Sequence, residues 1–289
     1  MKSYLYYPGC SLKGMGGPYE QSLFSTFRKL DLKLTEIPDW NCCGATAYLS
    51  VNGNMAIALA ARNLAIAEKD GGRDVVAPCS GCFLSLNKAK ASLKEYPELR
   101  AKVVDALGRA NLQYAGTSKV RHPLEVLMND VGPEALKKLV TKPLKDLRVV
   151  PYYGCAILRP YEVLGDSHTP TVLEELIRIT GATPVDYPYK GRCCGGMLTS
   201  GVQAVGLRLA EILLEAAKKT EADVIVTTCP LCHYNLECYQ DHLRKSTGKD
   251  LDIPVMYFTQ MLGLAMGLGE REVGVDRLLR RPMTVGVTA

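Results

Sequence analysis

Ten of the chain's eleven cysteines fall into two copies of one pattern, and no other feature of these 289 residues restricts the fold as strongly. The first copy is Cys10, Cys42-Cys43, Cys79 and Cys82; the second is Cys155, Cys193-Cys194, Cys229 and Cys232. As spacings they read C-x31-CC-x35-CxxC and C-x37-CC-x34-CxxC, with matching cysteines offset by 145 to 151 residues. A tetrahedral structural zinc takes four thiolates, so five per copy argue for a polynuclear iron–sulfur site in each half.

The repeat extends beyond cysteine. Tyr6-Tyr7-Pro8-Gly9-Cys10 answers Tyr152-Tyr153-Gly154-Cys155, Ile37-Pro38 before the first double cysteine answers Tyr187-Pro188 before the second, and Asp74-Val75-Val76 answers Asp223-Val224-Ile225-Val226. Two tandem units follow, 1–140 and 145–289, joined through the lysine-rich segment Asp130–Leu147.

Within each unit the hydrophobic periodicity alternates. Short apolar runs at Tyr4–Tyr7, Lys33–Ile37 and Asp74–Ala77 predict strands, as do Val149–Tyr153, Thr183–Tyr187 and Asp223–Thr227. Helical periodicity lies between them at Pro18–Leu30 and Asn54–Lys69, then at Pro170–Thr180 and Ala204–Lys219, with further helices at Phe83–Lys94 and His233–Arg244. Strand–helix–strand alternation predicts an α/β protein of two tandem, pseudo-symmetric domains with Rossmann-like parallel sheets. Every cysteine group follows a predicted strand, so all five thiols of a unit can meet at the strand carboxyl ends, where ligand crevices of such sheets sit.

Composition narrows the class. Hydrophobic content of 47% and charged content of 22% describe a globular chain, and the most apolar stretches, Met55–Ala67 and Phe258–Leu268, are too short to span a bilayer that needs about 20 apolar residues. The N-terminus shows no secretory hydrophobic region, so a cytoplasmic location is expected, where thiols stay reduced and bind metal. A net charge of +5 without a basic block, with four Phe and one Trp, gives no footprint for nucleic acid.

Each CxxC precedes a helical pattern, and helix N-terminal amides stabilise thiolates. Gly44, Gly195 and Gly196, following the double cysteines, lack a Cβ and are candidates to let backbone approach a cofactor. Structural zinc would leave one thiolate idle per half, disulfides fit neither the expected compartment nor the vicinal pairs, and a thioredoxin-like role for one CxxC would leave the other cysteines unexplained. Cys238 has no counterpart in the first half and is expected to be a buried packing residue. His122, His168 and His242 show no ligand spacing. Lys13, Arg159, Lys190, Arg192 and His233 flank the motifs and are candidates for binding an anionic substrate.

At YYPGCSLKG, EIPDWNCCGAT, APCSGC, YYGC, CCGG and CPLCHYN, and in the tail YFTQMLGLAMGL, the sequence resembles the CCG-domain family, and within it the heterodisulfide reductase B subunits. The resemblance covers essentially the whole chain. It implies two noncubane 4Fe-4S-type clusters, one held by Cys10, Cys42, Cys43, Cys79 and Cys82, the other by Cys155, Cys193, Cys194, Cys229 and Cys232, both facing one cavity. There the mixed disulfide of coenzyme M and coenzyme B would be reduced to two thiols, the last step of methanogenesis. The partners it implies are a ferredoxin-like C subunit and a flavin-bearing A subunit, fed by a hydrogenase or formate dehydrogenase, with no direct membrane insertion. An electron-transfer subunit of another flavin-linked dehydrogenase or disulfide reductase is the alternative within the family.

Overall fold

A computed structural model describes residues 2–282 of the chain; Met1 and residues 283–289, the end of the 145–289 unit, lie outside the described residues. The first half opens with β1 (Lys2–Tyr6), whose apolar end Tyr4-Leu5-Tyr6 is buried, followed by α1 (Gly9–Lys13), α2 (Gly17–Lys29) and β2 (Leu32–Glu36). Beyond the first double cysteine come α3 (Ala47–Val51), α4 (Gly53–Glu68), β3 (Val75–Val76), α5 (Ser80–Glu95), α6 (Pro97–Arg109), β4 (Val120–Arg121), α7 (Pro123–Val126) and α8 (Pro133–Lys138). The second half runs β5 (Arg148–Tyr152), α9 (Val172–Ile179), β6 (Thr183–Pro184), α10 (Gln203–Lys218), β7 (Val224–Thr227), α11 (Pro230–Cys238), α12 (Gln240–Thr247), β8 (Val255–Tyr257) and α13 (Phe258–Ala265).

The strands form two four-stranded sheets of identical topology, β2-β1-β3-β4 and β6-β5-β7-β8, parallel throughout. The expected α/β class with one parallel sheet per half is therefore what the chain adopts. In this order the connections leave the central strand in opposite directions, so the carboxyl ends of β1 and β3, and of β5 and β7, border a topological switch point. Cys10 follows β1 and Cys79 follows β3; Cys155 follows β5 and Cys229 follows β7. The fold thus puts cysteines at the crevice of each sheet.

Two strands lie outside the pattern expected from the sequence. β4 and β8, of two and three residues, lead into no cysteine group, and each completes its sheet by pairing with the strand before the CxxC. The helix expected at His233–Arg244 is two helices broken at Tyr239. The Asp130–Leu147 connection is structured: it carries α8, buries Leu136, and donates the Thr141 and Lys142 amides to the Ala265 carbonyl.

The apolar run at Phe258–Leu268 has a structural explanation. All eight residues of α13 are buried, because the helix follows the last strand of the second sheet and packs against α2 of the first half. Thr26 Oγ1 donates to the Thr259 carbonyl at 3.1 Å, Ser22 and Thr259 hydroxyls meet at 2.6 Å, and Ser25 donates to the Glu272 carbonyl. Aromatic rings close the seam. Tyr19 of α2 stacks on Tyr257 and meets Phe258 edge-on at 5.9 Å. The buried side chains of both halves form one continuous core.

Candidate metal centre

Each half builds its cysteine set in the same way. Cys79 and Cys229 stand at the N-caps of α5 and α11 with backbone still extended, so their partners Cys82 and Cys232 fall one turn into the helix. The second cysteine of each pair lies beside that inner thiol: Cys43 and Cys82 sulfurs are 3.3 Å apart, Cys194 and Cys232 sulfurs 3.4 Å. The Gly44 amide faces the Cys42 sulfur at 3.5 Å and the Gly195 amide the Cys193 sulfur at 3.3 Å.

The supports repeat as well. Tyr7 hydroxyl donates to the Asn41 carbonyl and Tyr152 hydroxyl to the Arg192 carbonyl, both at 2.7 Å, fixing the residue before each double cysteine. Ser85 and Asn235, each three residues after a CxxC, donate to the Cys43 and Cys194 carbonyls at 2.6 and 2.7 Å. Sequence reasoning passes over all four. The shared offset of Ser85 and Asn235 from the CxxC is the signal that could have found two of them.

Neighbouring thiols within each set shift one another's ionisation. Hydrogen bonds shared with Cys42 and Cys82 pull the Cys43 thiol well below its ordinary range, and a hydrogen bond shared with Cys155 lowers Cys193 to about 6. Cys229 is lowered by hydrogen bonds shared with Cys232 and with Cys79. Across the seam the Ser80 and Thr228 hydroxyls, each next to one of the buried cysteines Cys79 and Cys229, meet at 3.4 Å, so the two CxxC segments lie side by side. Among the described residues no group of three or more His, Cys, Asp or Glu side chains is arranged to hold a metal ion by itself.

The glycines divide by role. A Cβ on Gly9 would stand 2.7 Å from the Cys82 sulfur and one on Gly154 3.0 Å from the Cys232 sulfur, and both residues have positive φ, 63° and 71°. These two, before the first cysteine of each set, are where backbone closes on sulfur. At Gly44 and Gly195 the tight neighbour is instead the following helix: Ala56 of α4 at 3.0 Å and Gly206 of α10 at 2.6 Å. Gly196 abuts Leu231 at 2.9 Å and the Cys194 sulfur at 3.3 Å.

The flanking cations are less free than their sequence positions suggest. Lys13 pairs with Glu20 and Glu36, both at 2.8 Å, and Lys190 pairs with Glu174 at 2.6 Å while donating to the Pro170 carbonyl. His233 is buried, stacked on Tyr257, with Nδ1 3.3 Å from Glu237; burial lowers its pKa to about 4. Three of the five candidates therefore already have protein partners. Arg159 donates to the Gly191 carbonyl at 2.6 Å but is exposed, and Arg192 is exposed directly beside Cys193. Cys238 reverses its expectation. α11 buries Cys232, His233, Asn235, Leu236 and Glu237, and Cys238, at its last turn, falls outside that face and is exposed.

Five thiols on the carboxyl rim of a parallel sheet, built twice and joined at the seam, define a tandem cysteine-rich protein. The chain belongs to the cysteine-rich domain family designated CCG, which matches residues 4–87 and 149–237. It is 35% identical over 274 residues to the B subunit of the ferredoxin/F420H2-dependent CoB-CoM heterodisulfide reductase of Methanosarcina acetivorans, covering 93% of this chain and 91% of that one. It is also 34% identical over 277 residues to the 8-methylmenaquinol:fumarate reductase membrane anchor subunit of Wolinella succinogenes, covering 95% and 96%. In this chain no helix among the described residues is long and apolar enough to cross a membrane. A crystal structure of a hypothetical protein from Helicobacter pylori shares the fold, with a TM-score of 0.76 at 15% identity, over 97% of this chain and 52% of that one.

Proposed function

We propose that this chain is the catalytic subunit of a disulfide reductase, cleaving the mixed disulfide of coenzyme M and coenzyme B, with one noncubane iron–sulfur cluster held by each five-cysteine set. The observation that carries the reading is that the two CxxC segments meet across the seam, the Ser80 hydroxyl beside Cys79 standing 3.4 Å from the Thr228 hydroxyl beside Cys229, which brings two duplicated sites into one composite centre. The donor set fits such clusters: each half supplies five thiols at a sheet crevice, helix N-termini behind Cys79 and Cys229, and Gly9 or Gly154 where a side chain would collide with sulfur. Bound there, the clusters would supply one electron each and iron positions open to substrate sulfur.

The reaction needs that pairing. Breaking the S–S bond takes up two electrons and two protons and releases two thiols, so a centre addressing both sulfurs at once avoids a free thiyl product. Cys10 and Cys193 are the exposed members of the two sets, which gives each a solvent-facing side. The sulfonate of coenzyme M and the phosphate and carboxylate of coenzyme B call for cations, and exposed Arg192 and Arg159 beside the second set suit that task. The electrons come from a ferredoxin-like C subunit, fed by a flavin-bearing A subunit with a hydrogenase or formate dehydrogenase, in the reducing cytoplasm. Residues 1–140 and 145–289 are then two duplicated cluster-binding domains.

Anaerobic purification, iron analysis and electron paramagnetic resonance test this directly. Two clusters per chain and a new signal on adding coenzyme M to oxidised protein are expected; about four irons or fewer with no thiol-dependent signal overturns it. The similarity to a fumarate reductase subunit over nearly the whole chain favours a second reading, an electron-transfer subunit serving another acceptor. That reading keeps both clusters and loses the coenzyme M signal.

A further inference from the structure

His122 lies outside both cysteine motifs and is completely buried. Its ring sits at the end of β4, between Phe83 of the first half, edge-on at 6.2 Å, and Phe258 of the second, at 5.9 Å. Nδ1 accepts a hydrogen bond from the Leu124 amide at 3.2 Å, so in the neutral ring the proton is on Nε2. That Nε2–H faces two carbonyls at once, Pro78 at 3.0 Å and Thr228 at 3.2 Å. These are the residues immediately before Cys79 and Cys229. The pseudo-equivalent position at the end of β8 is Tyr257, which reaches neither carbonyl among the described hydrogen bonds, so the link is made from one half only.

We propose that His122 is a positioning residue which, through this single N–H, sets the separation of the two CxxC segments and hence of the two clusters. The proposal rests on the two-cluster reading above. Both carbonyls belong to short segments leading directly from a central strand into a helix N-cap, so the shared donor fixes where Cys79 and Cys229 begin their turns. Other side chains at the seam do not bond to both backbones: Tyr19 hydroxyl donates to the Thr228 carbonyl at 3.3 Å, Thr228 hydroxyl donates to the Tyr153 carbonyl at 3.0 Å, and the Ser80 and Thr228 hydroxyls meet at a longer 3.4 Å. His122 bonds to both. A centre that must meet the two sulfurs of one S–S bond depends on that spacing, and a misplacement of about 1 Å in such a geometry can cost about 100-fold in rate.

Two amide variants separate positioning from packing. Gln carries its terminal nitrogen as many bonds from Cα as Nε2 of histidine, whereas the Asn nitrogen is one bond short. In the anaerobically purified, cluster-loaded protein, His122→Asn should keep its iron, show a weaker spin–spin interaction between the two paramagnetic clusters, and reduce disulfide with kcat about 10-fold to 100-fold lower and KM changed less than about twofold. His122→Gln should restore both the interaction and most of kcat. Loss of both clusters in His122→Asn with retention in His122→Gln also supports the role, since only the donor's reach differs. Equal behaviour of the two variants, whether both resemble wild type or both lose iron, overturns it. Wild-type protein with fewer than two clusters overturns the two-cluster reading instead, so the two failures are distinguishable.

Discussion

The ring of Tyr19 lies 4.3 Å from that of Tyr257 and 9° from parallel, and His233 stacks on the other face of Tyr257 at 4.2 Å and 11°. One ring comes from the first half and two from the second, and all are buried, so the stack is a direct measure of how the halves hold together. Truncating a buried ring leaves a cavity as well as losing its transfer free energy. Tyr19→Ala should destabilise the chain by about 3–5 kcal/mol. Tyr19→Phe, which loses only the bond to the Thr228 carbonyl, should cost about 1 kcal/mol. Urea unfolding under anaerobic conditions reads both; a Tyr19→Ala loss of under about 1 kcal/mol would show that the seam does not stabilise the fold.

Gly9→Ala and Gly154→Ala should each strip iron from one half. The added methyl would meet a ligand sulfur at 2.7 or 3.0 Å on a backbone that already disfavours a side chain. Gly53→Ala, at the start of α4 with nothing within 4 Å of the new Cβ, serves as the control and should leave iron unchanged. Full iron content in both of the first two variants would contradict the tight sulfur–backbone approach.

Glu237 gives a pH dependence. Burial raises its carboxyl to about 7, from an ordinary value of 4.5; its Oε1 accepts from the Leu279 amide, His233 Nδ1 faces it at 3.3 Å, and Arg280 donates to its backbone carbonyl. Between those values the folded chain holds a proton that the unfolded chain has released, so this group's contribution is present at low pH and declines as pH rises through 7. Glu237→Gln stays neutral and keeps the acceptor. It should match wild type near pH 4.5 and exceed it by about 3 kcal/mol above about pH 8, in unfolding experiments across that range. A constant difference at all pH values would mean the carboxyl is ionised in the folded chain.

Cys238 and the paired cysteines should separate under alkylation. With both clusters bound, a maleimide should label one thiol per chain, exposed Cys238, and Cys238→Ser should keep all iron and activity. Labelling of Cys10 or Cys193 in the loaded protein would remove that residue from the ligand set.

Cys42→Ala and Cys193→Ala should each abolish one cluster's signal and disulfide reduction together. Retention of both signals in either variant, read by electron paramagnetic resonance alongside iron analysis, would dismiss the five-thiol assignment for that half.

Much of the architecture is legible because it is written in local pattern. β1, β3, β5 and β7 announce themselves as short apolar runs before cysteine, and α4 and α10 as long periodic stretches after each double cysteine. β4 and β8 are not legible, since neither leads into a cysteine group and each becomes a strand only by pairing with a neighbour. Cys238 departs from its expected burial because the fate of a helical residue depends on which face meets the core, and Cys238 ends α11 outside its buried face. His122 carries no motif at all: its partners are two backbone carbonyls, and carbonyls have no identity in a sequence.

Spacing and hydrophobic period by themselves determine the ten motif thiols, their division into two sets of five, and the two parallel sheets that carry them, because these signals act over a few to a few tens of residues. Packing in three dimensions was needed to bring the segments carrying Cys79 and Cys229 together, to bury α13 of one half against α2 of the other, and to occupy Lys13, Lys190 and His233 with protein partners. Those outcomes depend on how side chains distant in sequence interdigitate at one seam. Shape and hydrogen bonding there are properties of the packed molecule, and no local pattern specifies them.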